Sequence, residues 1–398
     1  SGKTTSILYI ALHYKQLKIL NLTYNAKLKF ETRAKAKYYG VDNLEIHSFH
    51  SFYNCYYAPT HDDNAMNTIL NQNQCRNKDY NYDIIIIDEA QDLTPLQWTM
   101  VEKMAENAEQ VIIAGDDDQA IHRWTGVNVQ RFIDSSTNVK VLSKSYRLPR
   151  AIWEVSQRIS KRIPNRIKKE FYPREEEGKV TSVWRVWDLP LDQGSWTIMA
   201  RTNSFVKDMA EELRSLGYFY SIKGKPAIRS EYIETMAIWK DLQIGYSIPV
   251  ETAKRFYKAV PKTKENAVVR RGSTSLLDML PPDADVGYND LVKDFGMLAP
   301  LDMDAKDVVK LSEDEKLYIA AIERRGESID GEPRIKLSTI HAMKGGEDDN
   351  VAVYLGSTQA CVEGRHQEDE HRVFYVAVTR AKQNLYLIES DKKYRYII

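Results

Sequence analysis

Asp83-Ile84-Ile85-Ile86-Ile87-Asp88-Glu89-Ala90-Gln91-Asp92 is the stretch whose reading decides the fold. Four consecutive β-branched residues restrict χ1 and suit a strand covered on both faces, which belongs inside a parallel sheet. Two carboxylates, Asp88 and Glu89, follow at its C-terminal end, where open α/β sheets bind ligands. Working outward, similar apolar runs at 19–23, 111–115 and 139–143 make a first block. Runs at 180–186, 197–201, 335–340, 351–355 and 384–388 make a second. Helix-like amphipathic stretches separate them, which predicts two α/β units with mainly parallel sheets.

Between about residues 230 and 332 the pattern changes to helices and loops. That stretch is basic early and acidic later (Asp302, Asp304, Asp307, Glu313, Asp314, Glu315), and reads as an insertion into the second unit. Residues 53–82 read as a smaller insertion into the first.

Composition bounds the function loosely. The 398 residues are 43% apolar, ample for more than one core, and 56 basic residues balance 56 acidic ones. Global charge therefore gives no sign of a nucleic-acid partner. Cys55, Cys75 and Cys361 are scattered and form neither a disulfide framework nor a CxxC metal site, so a reduced intracellular, cytoplasmic setting is expected. No apolar run approaches the roughly 18 residues that span a membrane. The opening, Ser1-Gly2-Lys3-Thr4-Thr5, carries no initiator Met or signal peptide and reads as a fragment boundary.

That opening matches the second half of a phosphate-binding loop, GxxxxGK[ST]. In such a loop backbone N–H groups and a helix N-terminus attract phosphate oxygens, Lys3 neutralises phosphate charge and the Thr4 hydroxyl ligates magnesium. By itself the tripeptide Gly2-Lys3-Thr4 is weak evidence. Asp88 and Glu89 strengthen it: Asp88 suits a magnesium ligand and Glu89 a group that polarises attacking water. Gly115-Asp116-Asp117-Asp118-Gln119 follows another apolar run, and a Gln amide there can bridge a γ-phosphate and a neighbouring site. Arg147 and Arg380 are candidates for guanidinium contacts to transferring phosphate.

Taken in order, these elements resemble the motifs of superfamily-one helicases of the UvrD/Rep-like branch. Residues 1–5 resemble the end of motif I, 22–25 motif Ia, 48–52 motif Ib, and Asp88-Glu89-Ala90-Gln91-Asp92 motif II. Residues 115–126 resemble motif III, Tyr146-Arg147 motif IV, 338–345 motif V and 375–382 motif VI. The resemblance implies two RecA-like P-loop NTPase motor domains with a small accessory insertion in each. The expected division is 1–147 for the first (insertion 53–82), 148–229 with 331–398 for the second, and 230–330 for an inserted accessory domain.

It also implies roles. Gly2, Lys3, Thr4 and Thr5 would hold ATP, with Mg2+ on Thr4 and Asp88. Glu89 would be the catalytic base, Gln119 a γ-phosphate sensor, and Arg147 and Arg380 the arginine contacts. Tyr146 would stack on adenine and Glu347 would contact ribose. Single-stranded DNA would run past Tyr24, Asn25, Phe49, His50, His122, Trp124, Thr339 and His341. The implied activity is an ATP-dependent DNA helicase or translocase moving 3′-to-5′, acting as a monomer on single strands and duplex junctions, with no membrane partner. A RecD-like helicase of opposite polarity would show GDxxQLPP in motif III, and a non-hydrolysing recombination mediator would lack Lys3, Glu89, Gln119 or Arg380.

Departures from the family pattern are His122 for Tyr, Thr125 for Arg, and Gly346 and Asp348 for the Leu and Phe of KGLEF. The upstream loop glycine and its strand lie outside the sequence, so weak ATP binding by these 398 residues alone is expected. Three basic clusters are candidate DNA or duplex contacts: Lys27 to Lys37, Arg158 to Lys169, and Lys254 to Arg271.

Overall fold

The computed structural model describes residues 2–24, 26–57, 64, 67, 70, 81–135, 138–262, 267–364 and 368–398. Ser1, Asn25, most of the 53–82 insertion, Cys75, Lys264 and His366 lie outside the described residues, as does the Lys27 side chain.

A four-stranded, all-parallel sheet organises the first lobe in the order β2-β1-β3-β4, with β1 Ile19–Thr23, β2 Leu44–Ser48, β3 Ile84–Asp88 and β4 Gln110–Ile113. The isoleucine run of β3 works as its composition requires. Ile84 and Ile86 enter the apolar layer beneath the helix Lys3–His13, while Ile85 and Ile87 enter the opposite layer with Phe49, Phe52 and Trp98. Side chains of a strand alternate between faces, so both faces here are core.

The second lobe holds a seven-stranded sheet ordered β5-β13-β12-β6-β11-β7-β8. Its members are β5 Lys179–Val183, β6 Trp196–Ala200, β7 Tyr220–Ile222, β8 Lys225–Pro226, β11 Ile335–Thr339, β12 Asp348–Tyr354 and β13 Ala381–Ile388. All pair in parallel except the β7–β8 hairpin. The chain is α/β with parallel sheets, as its alternation of strands and helices implies. Tyr24, Glu89, Gly115 and Ile340 each follow the C-terminal end of a strand, so the motif residues gather on one rim of each sheet.

Three expectations fail locally. Residues 139–143 are not a strand; Val139, Val141 and Leu142 are exposed, and a cavity of about 930 Å³ lies between them and β4. An apolar run becomes a strand only when a neighbouring backbone pairs with it, and here β4, the edge of its sheet, is across that gap. The predicted run at 180–186 stops at Val183, because Val186–Asp188 turns as a 3-10 helix with Asp188 accepting the N–H groups of Trp184 and Arg185. Conversely, β2 is masked by Glu45 and His47, whose polarity is satisfied internally: Glu45 accepts from the hydroxyls of Tyr56 and Tyr82 and meets His47 at 2.7 Å.

Residues 230–330 are helices and turns around a short antiparallel pair, β9 Ile248–Pro249 and β10 Asp285–Val286. Their apolar side chains share one core with the second sheet. Trp239 is fully buried, stacks on Phe256 at 6.0 Å and donates its indole N–H to the Met303 carbonyl. Because the core is continuous, Trp239→Ala is expected to lower the main unfolding transition of the second lobe by about 3–5 kcal/mol. Urea denaturation followed by circular dichroism checks this; a separate, early transition carrying the whole loss would contradict a shared core.

Candidate functional site

Gly2 takes a left-handed φ of 98° and leads into the helix Lys3–His13, a backbone turn that favours glycine. Lys3 therefore stands in the first turn of a helix, and its ammonium lies 2.6 Å from Glu89 Oε1. Thr4 is partly buried and Thr5 exposed. Glu89 has a φ of 56°, unusual for a residue with a Cβ and a form of local strain that persists only where surroundings impose it. That turn throws its carboxylate away from β3 toward Lys3, while Asp88 stays buried and accepts the Glu89 N–H.

The two adjacent carboxyls diverge. Burial, and then repulsion from Glu89, lifts Asp88 to about 6 against the pull of Lys3. Burial also acts against Glu89, but the Lys3 and Lys344 ammonium groups outweigh it and bring Glu89 down to about 2. Lys3 is itself raised, since Glu89 and Asp88 overcome its desolvation.

From Glu89 a hydrogen-bonded chain crosses the site. Gln91 donates to Glu89 Oε2 at 2.6 Å and accepts the Asp116 N–H at 3.0 Å. Gly115 makes this approach possible, because a Cβ there would lie 2.6 Å from both Gln91 Oε1 and the Phe132 ring. Asp116 Oδ2 accepts from Gln119 Nε2 at 2.6 Å, and Gln119 Oε1 accepts from Arg380 Nη2 at 3.2 Å. Arg380 comes from the second lobe and is almost fully buried, its other N–H groups donating to the carbonyls of Val376 and Gly346. Burial, reinforced by Arg147, lowers it to about 9, which leaves it charged at neutral pH.

Lys3, Asp116, Gln119, Arg147 and Thr379 line one cavity of about 930 Å³. Arg147 forms an ion pair with Glu347 at 2.7 Å, so two residues expected to face different parts of a nucleotide face each other. Tyr146 beside it is 69% exposed.

A row of rings follows at the junction of the lobes. Tyr24 stacks near His122 (6.0 Å, 18°), His122 meets Trp124 at 6.4 Å, and His341 of the second lobe lies 6.1 Å from His122. Trp124 is 71% exposed. Two expected contact residues fall away from this surface. Phe49 is 1% exposed and fills the first core, because its helix must bury an apolar face against β3. Thr339 is buried and its hydroxyl accepts the Ala342 N–H, closing the turn after β11. His50 is exposed at the start of the helix Phe49–Tyr56.

Several members of the basic clusters are engaged within the fold. Arg33 donates to the Ile46 carbonyl, Lys254 pairs with Glu251 and Asp278, and Arg255 pairs with Glu234. Arg166 and Lys169 are bound to Asp116, Asp117 and Asp118, so they are not open phosphate contacts. These cross-lobe partners escaped sequence reasoning, as did Lys344, which reaches Asp92 at 2.5 Å and the Gln119 carbonyl at 2.6 Å. Asp92 and Lys344 both stand inside recognised motifs; Lys169 carried no signal beyond belonging to a basic run.

Burial, with Lys344 and His341 adding to it, lowers His122 to about 4; burial with Arg201 and Lys344 lowers His341 to about 4. Between pH 6.5 and 4 the unfolded chain therefore binds more protons, so these groups contribute stability above 6.5 that is lost as pH falls toward 4. NMR titration is expected to place both midpoints near 4. A His122→Gln/His341→Gln variant is expected to lose less stability across that window in urea denaturation.

Comparison with known proteins agrees with the motif order. Residues 62–140 match the UvrD/REP helicase N-terminal domain, and residues 304–392 match the UvrD-like helicase C-terminal domain. The ATP-dependent DNA helicase PcrA of Bacillus subtilis (strain 168) is 22% identical over 410 residues, covering 78% of this chain and 55% of that protein. The putative ATP-dependent DNA helicase YjcD of the same organism is 24% identical over 404 residues, covering 80% and 52%. A probable DNA helicase II homolog of Mycoplasma capricolum is 22% identical over 415 residues, covering 80% and 56%. The chain thus spans about half the length of the curated relatives it matches. Among the described residues no helix is long and apolar enough to cross a membrane. Matched in order at residues 62–140 and 304–392, the two domains make the chain similar to the UvrD/Rep-like helicases.

Proposed function

We propose that this chain is the motor of an ATP-dependent DNA helicase that moves 3′-to-5′ along a single strand and unwinds duplex ahead of it. The observation that carries this reading is the hydrogen-bonded chain from Lys3 and Glu89 through Gln91, Asp116 and Gln119 to Arg380. It joins a phosphate-binding helix start in one lobe to a buried guanidinium in the other, beside a row of aromatic rings.

In this reading ATP lies between the lobes. Lys3 turns from Glu89 toward the phosphates, whose greater negative charge competes for its ammonium. Glu89, ionised at neutral pH, then orients a water for attack on the γ-phosphate. Gln119 and Arg380 face the charge that develops there, and Arg147 exchanges Glu347 for phosphate. Tyr146 stacks on the base, and Glu347, once freed, meets the ribose.

Magnesium fits the donor set: one hydroxyl, Thr4, and one buried carboxylate, Asp88, that burial makes costly to leave without a cation. When bound it would neutralise phosphate charge. No group of three or more His, Cys, Asp or Glu among the described residues suits a metal held by protein alone, in keeping with an ion that keeps water and phosphate ligands.

DNA bases stack against Trp124, His122, His341 and Tyr24, which offer faces without sequence readout. Residues 1–147 form the first motor domain and 148–229 with 331–398 the second, around an accessory unit at 230–330. Cleft closure and opening move one lobe against the other and ratchet the strand.

In the intact protein, Glu89→Gln is expected to cut DNA-stimulated phosphate release by about 10²–10⁴-fold. Trp124→Ala is expected to weaken single-stranded DNA binding by about 1–3 kcal/mol in fluorescence anisotropy. Unwinding of tailed duplexes should require a 3′ tail; activity on 5′ tails alone would reverse the assigned polarity, and absence of any phosphate release with DNA would leave a DNA-binding scaffold.

A further inference from the structure

Residues 163–172 leave the second lobe, touch the first and return. Ile163 packs in the core of the second lobe, whereas Ile167 packs against that of the first. Beyond it the Tyr172 N–H donates to the Ser143 carbonyl and the Ser145 N–H to the Tyr172 carbonyl. Asn165 turns the strap with a φ of 46°, and the carbonyls of Pro164 and Asn165 accept from Arg372. Ile121, which belongs to the first lobe by sequence, packs in the second core in return. Each lobe therefore holds an isoleucine from the other's segment.

Between the exchanged segments lies a compact ion group. Lys169 Nζ is 2.5 Å from Asp116 Oδ1, 2.5 Å from Asp117 Oδ1 and 3.1 Å from Asp118 Oδ2. Arg166 grips Asp118 with two N–H groups at 2.8 and 2.5 Å, the Ile167 N–H donates to Asp117 Oδ2, and Arg372 donates to the Asp117 carbonyl. Of the three aspartates, three of these four groups reach only Asp117 or Asp118. Among the strap's contacts, Lys169 alone reaches Asp116, the carboxylate whose other oxygen holds Gln119.

We propose that Lys169 is a positioning residue for ATP hydrolysis: it pins Asp116, and thereby holds Gln119 against Arg380 across the cleft. The proposal rests on the ATPase reading above. Loss of Lys169 leaves the strap docked through Arg166, Ile167 and Arg372, while Asp116 Oδ1 keeps only the longer bond from the Asp118 N–H at 3.3 Å, so Gln119 is held less firmly. The docking of the two lobes is in this way transmitted to the side chains facing the γ-phosphate.

The test compares Lys169→Met and Lys169→Arg in the intact protein. Lys169→Met is expected to lower kcat for DNA-stimulated phosphate release by about ten-fold or more, with KM for ATP within about three-fold of wild type. Lys169→Arg, which keeps a cation at Asp116, should recover most of the rate. A second readout does not need turnover. In protein labelled with 15N-glutamine, the Gln119 side-chain amide, assigned with Gln119→Glu, should shift or broaden in Lys169→Met and stay near its wild-type position in Lys169→Arg. Should Lys169→Met not fold, the Asp117→Asn/Lys169→Met double variant preserves the local net charge and carries the same expectations. An unchanged kcat, a loss confined to KM, or an unmoved Gln119 resonance would overturn the proposal. A wild-type protein without ATPase but with a shifted Gln119 resonance in Lys169→Met would sink the ATPase reading and leave the positioning intact.

Discussion

Three adjacent carboxylates, Asp116, Asp117 and Asp118, are largely withdrawn from water at the place where the two lobes meet. Isolated, such a group is untenable, because desolvated like charges within a few ångströms repel one another. Lys169 and Arg166 make it tenable: burial works against Asp116, but the Lys169 ammonium holds its carboxyl below the usual range, while burial lifts Asp118 against the pull of Arg166. Lys169, despite its own desolvation, is raised by the same carboxylates. The cations belong to a strap of the second lobe and the anions to the first, so the lobes are joined by charge compensation that neither completes alone. Losing one partner of such a buried group costs about 3–5 kcal/mol, because the remaining charge is left buried and uncompensated.

Much of the proposed ATP site is connected to that junction. Asp116 shares its backbone N–H with Gln91, which reaches Glu89, and its carboxylate with Gln119, which reaches Arg380. The strained φ of Glu89 is part of the same arrangement. Strain of about 1–3 kcal/mol persists where surrounding contacts over-determine a conformation, and Lys3 and Gln91 do so here. A low-lying Glu89 carboxyl beside a raised Asp88 suits the division of labour proposed above, Glu89 as an anion for proton chemistry and Asp88 as the one that gains most from a metal cation.

The proposed nucleic-acid surface rests on different physics. Some basic side chains that looked available for phosphate, Arg33, Arg166, Lys169 and Arg255 among them, are engaged by carboxylates or a backbone carbonyl, and the overall charge is balanced. What remains at the lobe junction is a row of rings, two of them imidazoles kept neutral by burial. Stacking of this kind is indifferent to base identity, which suits a strand that must pass every sequence. Lys344 ties the row to the ATP site: it contacts Asp92 and the Gln119 carbonyl, and its charge also helps keep His122 neutral.

Much of this protein is legible in the sequence, for a local reason. Four isoleucines followed by Asp88 and Glu89 specify a buried parallel strand with a ligand-binding end, and ordered motifs identify the family and most side chains that meet in the cleft. Such features depend on neighbours along the chain. Residues 139–143 show the limit, since their apolar run is strand-like in composition yet lies across a cavity from β4 and meets the Tyr172 backbone only at Ser143. Phe49 shows it too: being aromatic and beside a recognised motif does not tell core from surface, and its helix turned it inward. Only the tertiary structure decided that Lys169 and Arg166 answer Asp116 and Asp118 rather than phosphate. Charge pairing across some fifty residues depends on distance and desolvation in the folded chain, and neither leaves a mark in the order of residues.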